Sequence, residues 1–309
     1  MAADSWRDEK LKSGKFDVDV QLVKRLIAAQ FPRWAALPVW PVERDGWDNW
    51  TFHLGDRLKV RLPSAVGYSE QAAKEAYWLP KLAPQLPLLV PEPVAIGEPC
   101  EDYPCVWSVY EWLDGEPTTR ETIGDPVQFG RDLAKFLLAM QRIDTRDGPP
   151  PGQHNYFRGA AMTSVYGAEA RRSVSALAAV IDAPAAHAVL DIAEAAPFAS
   201  PPVWIHGDIA VGNLLLRDGR LSAVIDFGGC AVGDPACDLV ISWVFLEGAA
   251  RETFRLSVGA DDAMWARARG WALWKAALAL ANGSASNSAE TPPQRVIEAV
   301  LADSRTARG

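Results

Sequence analysis

The chain has 309 residues, of which 49% are hydrophobic, and it carries a formal net charge of -8. This acidic balance disfavours nucleic acid or an anionic membrane as the main partner and suits a cationic small molecule. The polar N-terminus and the lack of an apolar run long enough to cross a bilayer predict a cytoplasmic protein, large enough for one large core or two smaller ones.

The first third of the chain predicts helices separated by antiparallel strands. Residues 19–30 have apolar side chains at helical spacing, and Pro32 ends the pattern. Alternation predicts strands at residues 50–54 and 58–62, after a turn with the sequence ERDGWDN. A second helix and another strand pair are then predicted, at residues 70–82, 91–96 and 106–113.

The remainder is mainly helical, with a short strand at residues 203–205 and a hairpin that turns at Asp218 and Gly219. The helices are predicted at residues 129–143, 163–181, 184–196, 235–247, 261–281 and 293–303. Four tryptophans of these helices are assigned to the core: Trp243, Trp265, Trp271 and Trp274.

Three oxygen-bearing side chains surround this hairpin. Asn213 precedes its first strand and Asp226 follows its second, so both are expected at the same end of the hairpin. One carboxylate and one amide oxygen can hold Mg²⁺, with nucleotide phosphates completing the shell. Asp208 is left to accept the proton of an attacking hydroxyl or to orient it. The arrangement predicts a phosphoryl-transfer site.

The residues next to this trio have structural interpretations. Asp234 precedes Pro235 and is expected to cap the helix that follows. Asp238, in the first turn, is expected to bond the backbone of the loop at Asp208. His206 is interpreted as structural, because this kind of chemistry works by positioning and electrostatics rather than through a histidine nucleophile.

The motif HGD, N, DFG between His206 and Gly228 resembles the catalytic loop and D-F-G motif of protein kinases. HGD together with GDPACDL at residues 233–239 is more similar to the aminoglycoside phosphotransferase and choline kinase-like family. The resemblance is strong over residues 203–239 and extends faintly over 46–274. It implies an α+β, two-lobed protein kinase-like fold. A small antiparallel-sheet N-lobe, residues 1–113, would bind the nucleotide, and a larger, mainly helical C-lobe, residues 114–309, would hold the catalytic and acceptor sites.

In the N-lobe, the resemblance implies a phosphate-contacting cation on the second strand. Alignment on Pro63 places it at Arg61, where the family more usually has lysine, and arginine can bind phosphate bidentately. Lys59 lies on the same face of the strand and is the rival. Glu75 on the next helix is placed to pair with this cation, and Glu70 is the alternative partner.

Two further segments are implied to contact the nucleotide. The turn ERDGWDN would lie over the phosphates, where Gly46 permits close approach and Asn49 offers polar groups; an ordinary hairpin turn is the alternative. The hinge within VYEWLDGEP would bind a purine through the carbonyl of Glu111 and the N–H of Leu113. The ring of Tyr110, at the gatekeeper position, would limit how deep the purine slides and leaves ATP or GTP open.

The acceptor is expected in a cleft walled by C-lobe helices. Glu247, Asp261 and Asp262 follow the metal site and lie at helix ends, so they are candidate acceptor contacts, while Asp261 at a helix start is equally a cap.

Three functions are compatible with the sequence. The first is a kinase of an aminoglycoside-like antibiotic, and the second is the same chemistry on another small alcohol such as a macrolide, choline, homoserine or a sugar metabolite. The third, an inactive kinase-like binding module, is disfavoured by the intact trio. We expect a monomer that uses Mg²⁺ with ATP or GTP.

Overall fold

The computed structural model describes residues 2–43, 45–284 and 287–306, so Arg44 of the predicted turn lies outside the described residues. The chain divides into two compact units. The first comprises Met1–Pro84 and Val90–Leu113, and the second comprises Gln85–Leu89 and Asp114–Gly309. An antiparallel sheet dominates the first unit and helices dominate the second, as the sequence predicted for its N-terminal and C-terminal parts.

A five-stranded antiparallel sheet, in the order β1-β2-β3-β5-β4, forms the centre of the first unit. Its strands are β1 (Val39–Pro41), β2 (Asn49–Leu54), β3 (Leu58–Pro63), β4 (Pro93–Gly97) and β5 (Trp107–Glu111). The helices of this unit are α1 (Ala2–Lys12), α2 (Val20–Gln30) and α3 (Ser69–Leu82). The sequence did not predict α1, because this helix is polar and lacks an apolar stripe.

Alternation along β3 decides which side chains enter the core. Val60 is fully buried on one face, while Lys59 and Arg61 share the other face, as the sequence predicted. The register sets Lys59 opposite Tyr110 and Arg61 opposite Ser108 on β5. Both cations are therefore brought beside the strand that carries Tyr110.

The second unit contains two small antiparallel sheets, one in the order β6-β8-β9 and one that pairs β10 with β7. The strands are β6 (Glu116–Pro117), β7 (Val203–Ile205), β8 (Leu214–Arg217), β9 (Arg220–Val224) and β10 (Ala231–Gly233). Strands β8 and β9 form the predicted hairpin, and Asp218 in its turn has the positive φ of 52° that such a turn requires.

Seven helices among the described residues complete this unit. They are α4 (Pro126–Gln141), α5 (Met162–Ala176), α6 (Ala183–Ala195), α7 (Ile241–Val244), α8 (Gly248–Val258), α9 (Asp262–Ala281) and α10 (Pro293–Thr306). Helix α9 is central and packs against α5, α6 and α10, whereas α4 packs against α8. None of the helices in the described part of the chain combines the length and the apolar character needed to span a membrane.

The helix predicted at residues 235–247 is wrong in its extent. The structure has a 3-10 helix at Pro235–Leu239, then the short α7, and a break in helical backbone at Phe245. Helix α8, which follows, was not predicted. Most residues from 235 to 246 are buried whichever way they point, so apolar spacing carried no information about where one helix stops.

A buried ion pair joins the start of that 3-10 helix to α9. Asp234 caps the helix by accepting the Ala236 N–H at 3.1 Å, as predicted. The same carboxylate binds the Arg267 guanidinium through two hydrogen bonds of 2.6 and 3.1 Å. Only 3% of the Asp234 side chain and 11% of the Arg267 side chain are exposed, so little water reaches the pair.

We expect Arg267→Met to lower the free energy of unfolding by about 3 kcal/mol, because it leaves the Asp234 carboxylate buried without its cation. Arg171→Met is the matched control, since Arg171 pairs with Asp191 and Glu194 at an exposed surface and should contribute less than about 1 kcal/mol. Urea denaturation of both variants measures the difference. Equal losses would contradict the assignment of a buried, coupled pair.

Candidate active site

The loop that carries Asp208 is anchored by a buried carboxylate. Asp238 accepts the backbone N–H of His206 at 2.8 Å and that of Gly207 at 2.7 Å, one on each oxygen. Asp238 is 1% exposed, and burial raises the pKa of its carboxyl above the ordinary value. The expected bond between Asp238 and this backbone is therefore present, and it fixes the two residues immediately before Asp208.

His206 ties the same loop to the end of β9. Its Nδ1 accepts the Asp208 N–H at 3.2 Å, and its Nε2 donates to the Ile225 carbonyl at 3.1 Å. The ring is fully buried, with its edge toward Phe227 at a centroid distance of 4.7 Å. Both ring nitrogens are occupied in backbone hydrogen bonds, which agrees with the structural role predicted for His206.

Asn213 connects Asp208 to the DFG segment. Its side-chain Nδ2 donates to the Asp208 carbonyl at 2.9 Å and to Oδ2 of Asp208 at 3.1 Å. Its own carbonyl accepts the Ile225 N–H at 2.9 Å, one residue before Asp226. The structure thus brings all three motif residues to one end of the β8–β9 hairpin, where the sequence placed them.

Asp226 holds an unusual backbone conformation at this end of the hairpin. Its φ of 67° and ψ of 69° lie in the left-handed region, which costs a residue other than glycine about 1–2 kcal/mol. The Cys230 N–H bonds the Phe227 carbonyl and closes the turn that follows. A conformation of this cost, maintained beside two polar side chains, is typical of a functional position.

The donor atoms at this site fit Mg²⁺. Because the Asn213 amide nitrogen is committed to Asp208, its amide oxygen is the atom left for a metal, together with the Asp226 carboxylate. Among the described residues, no group of three or more His, Cys, Asp or Glu side chains is arranged to hold a metal ion. Two protein oxygens completed by phosphates and water are the donor set that Mg²⁺ commonly uses.

Asp208 itself is accessible. About half of its side chain is exposed, and its Oδ1 lies 4.0 Å from the Lys275 Nζ on α9. A pocket open to solvent lies beside it, and Arg158, Trp271 and Trp274 form part of the wall. Glu290 also interacts electrostatically with both Lys275 and Asp208, and burial raises the pKa of its carboxyl.

In the first unit, Arg61 pairs with Glu75. The Arg61 Nη1 donates to the two Glu75 oxygens at 3.3 and 3.1 Å, and the Tyr110 hydroxyl donates to Glu75 Oε2 at 2.7 Å. Burial and the Glu75 charge raise the pKa of Tyr110 well above its ordinary value, so this hydroxyl remains a donor. Lys59 lies 5.7 Å from the Tyr110 ring centroid, and Glu70 lies in the first turn of α3.

Helix α1 holds the turn that leads into β2. The buried Lys10 ammonium donates to Asp45 at 2.9 Å and to the Asn49 carbonyl at 2.8 Å. Burial lowers the pKa of Lys10 and raises that of Asp45. A Cβ added to Gly46 would meet nothing within 4 Å, so the space beside this glycine is open. Lys10, which was not identified from the sequence, thus holds this turn in place.

The two backbone edges of the segment proposed as the hinge differ in their strand partners. Trp112 donates its N–H to the Arg57 carbonyl at 2.8 Å. Neighbouring residues of an extended chain direct their backbone groups to opposite sides, so those of Glu111 and Leu113 face away from Arg57. Strand β4 begins at Pro93, opposite Tyr110, and pairs with no later residue of this segment.

The three acidic residues proposed as acceptor contacts form local contacts in the structure. Glu247 forms an ion pair with Arg120 at 2.8 Å. Asp261 caps α9 by accepting the Met264 N–H at 2.7 Å, and Asp262 pairs with Arg255. Asp262 begins α9, and the helical rise puts its backbone about 20 Å from that of Lys275 beside Asp208. The structure therefore does not bring Asp261 or Asp262 together with Asp208.

Two tryptophans and two cations beside Asp208 were not identified from the sequence as site residues. Trp271 and Trp274 are buried, as predicted, yet they also line the pocket. Lys275 is a single cation within an apolar stretch of α9, a signal that sequence reasoning can detect. Arg158 follows a Pro/Gly-rich loop and has no comparable signal.

A family model matches most of the sequence. The model of the phosphotransferase enzyme family, APH, matches residues 41–271. An aminoglycoside 3'-phosphotransferase from Escherichia coli is 39% identical over 51 residues, which are 16% of this chain and 19% of that relative. The chain thus matches about a fifth of the length of this curated relative.

Solved structures resemble the whole chain at low identity. The GDP and kanamycin complex of APH(2")-IIia has a TM-score of 0.66 and 17% identity, covering 93% of this chain and 99% of that one. The streptomycin–ATP–APH(2")-IIa ternary complex has a TM-score of 0.60 and 16% identity, covering 94% and 97%. At these identities the resemblance establishes the fold.

We expect Asp238→Ala to lower the free energy of unfolding by about 2–4 kcal/mol, because two buried N–H groups lose their acceptor at a cost of about 1–3 kcal/mol each. Turnover should fall as well, since the loop before Asp208 loses its anchor. Asp56→Ala, in the exposed turn between β2 and β3, removes the same side chain as a control. Denaturation and steady-state kinetics measure both effects, and wild-type stability in Asp238→Ala would contradict the anchoring role.

Proposed function

Because this chain belongs to the phosphotransferase enzyme family, we propose that it transfers the γ-phosphoryl group of ATP or GTP to a hydroxyl of a small molecule. One observation carries the proposal. Asn213 donates its side-chain nitrogen to Asp208 while its carbonyl accepts the Ile225 N–H beside Asp226. A base for an alcohol and two oxygen ligands for a metal are thereby held in one hydrogen-bonded unit.

Asp208 is the group that accepts or orients the hydroxyl proton of the acceptor. Its side chain is half exposed and lines the pocket, so an acceptor hydroxyl can reach it. Asp238 and His206 fix the backbone on either side of the Asp208 N–H. Positioning of this kind, rather than covalent chemistry, accounts for most of the rate in phosphoryl transfer.

Asn213 and Asp226 are the proposed metal ligands. When bound there, Mg²⁺ would neutralise negative charge on the nucleotide phosphates. The left-handed backbone of Asp226 and the hydrogen-bonded carbonyl of Asn213 fix the backbone from which these two side chains extend. Their preorganisation reduces the ordering that the bound nucleotide must impose.

The first unit would bind the nucleotide, through residues 1–113. Arg61, oriented by Glu75, is the proposed phosphate-contacting cation, and Lys59 on the same face is the rival. The turn at Gly46 and Asn49 would cover the phosphates. Glu111 and Leu113 would bind the purine beside Tyr110, and the GDP and ATP complexes of similar folds support a purine nucleotide.

The site says less about the identity of the acceptor than about the type of reaction. An aminoglycoside-like antibiotic is supported by the kanamycin and streptomycin complexes of the similar structures. Another small alcohol is the second candidate, and it is favoured by the cations Arg158 and Lys275 in the wall beside Asp208. We further propose that residues 114–309 bind the acceptor and that the protein acts as a cytoplasmic monomer.

We expect Asp208→Ala to lower kcat by about 10²–10⁴-fold while Mg-nucleotide affinity stays near wild type, because this carboxylate acts on the acceptor proton. Asp226→Ala should instead weaken Mg-nucleotide binding, because it removes the metal-binding carboxylate. Calorimetric titration with Mg-nucleotide and steady-state kinetics separate the two effects, with Asp56→Ala as control. Near-wild-type turnover in Asp208→Ala would contradict the role of Asp208 in accepting or orienting the hydroxyl proton.

A further inference from the structure

The pocket beside Asp208 is lined by cations and indole rings. Its wall includes Arg158 and Lys275 together with Trp271 and Trp274. The pocket is open to solvent and the Asp208 side chain is about half exposed, so a small acceptor can approach Asp208 from outside.

Arg158 is held against aromatic faces. Its guanidinium carbon lies 5.2 Å from the Trp271 ring centroid and 5.0 Å from that of Trp274. Over residues 2–43, 45–284 and 287–306, no carboxylate forms a salt bridge with Arg158. A cation–π contact does not use the guanidinium N–H groups as donors to oxygen, so they remain available for an anion such as a carboxylate.

Lys275 provides the second positive group. Its Nζ lies 4.0 Å from Asp208 Oδ1, and Glu290, which also accepts the Val211 N–H, interacts with it electrostatically. The Lys275 charge is thus partly balanced by carboxylates, whereas Arg158 has no carboxylate partner among the described residues. Asp208, the acidic group in the pocket wall, is the one assigned to the reacting hydroxyl.

The positive charges of this wall would repel a polycationic acceptor. Its ammonium groups would approach Arg158 and Lys275, and like charges brought together at short range repel. An acceptor with a negative group would instead complete the hydrogen bonds of Arg158 through charge-assisted contacts.

We propose that this pocket selects small acceptor alcohols that carry a carboxylate or a similar anionic group. The inference rests on the proposed phosphoryl transfer at Asp208 and names the acceptor class for it. Arg158 binds the anionic group, the indoles of Trp271 and Trp274 hold the guanidinium in place, and Asp208 receives the hydroxyl.

The test compares three probes that share one ring and differ in charge: D-glucuronate, D-glucose and D-glucosamine. Each is titrated calorimetrically into the enzyme in the presence of Mg²⁺ and ADP. We expect glucuronate to bind about tenfold more tightly than glucosamine, because its carboxylate gains the charged hydrogen bonds of Arg158. If glucuronate binds no more tightly than glucosamine, the inference is overturned.

Arg158→Gln should abolish this preference, because glutamine keeps a polar side chain without the charge. Arg172→Gln, on the exposed side of α5, removes the same charge away from the pocket and should retain the preference. Retention of the preference in Arg158→Gln would also overturn the proposal.

A nucleotide titration separates this inference from the proposed function. Binding of Mg-nucleotide with a preference for glucosamine would refute only the anionic acceptor. Absence of Mg-nucleotide binding would refute phosphoryl transfer, whatever the three sugars do.

Discussion

The site depends on one buried carboxylate that holds the backbone before Asp208. Asp238 accepts two N–H groups from His206 and Gly207 and is almost completely excluded from water. A desolvated carboxylate is costly, and the two charge-assisted hydrogen bonds offset that cost only in this loop conformation. The position of Asp208 therefore follows from the 3-10 helix that carries Asp238, and that helix is in turn fixed to α9 by the Asp234–Arg267 pair.

Each compact unit positions its candidate site residues through a different kind of contact. In the second unit, Asn213 and His206 use backbone hydrogen bonds to align the Asp208 loop with the end of β9. In the first unit, strand alternation and a helix bring Arg61, Glu75 and Tyr110 into one buried cluster. An arginine stands where the family more usually has lysine, and its Nη1 donates to both Glu75 oxygens.

Local spacing explains why much of the site could be predicted from the sequence. Asn213 and Asp226 flank a hairpin whose two-residue turn leaves little freedom, so their common position followed from the pattern. Arg61 and Glu75 lie on consecutive elements, which made their pairing predictable. Arg158 lies in a turn and Lys275 lies on α9, and no local pattern specifies that these distant segments line the same pocket. The polar helix α1 and the break at Phe245 were missed because the first lacks an apolar stripe and the second is buried on every side.

The most direct measurement of the central claim is the free energy of unfolding with and without Mg²⁺ and nucleotide. A ligand that binds only the folded protein adds about 2.7 kcal/mol at one hundred times its dissociation constant. We predict this gain with ATP or GTP when Mg²⁺ is present, and a much smaller gain when the metal is chelated, because the proposed ligands Asn213 and Asp226 would contact the nucleotide only through the metal. An unchanged free energy of unfolding with both nucleotides at saturating Mg²⁺ would contradict the account.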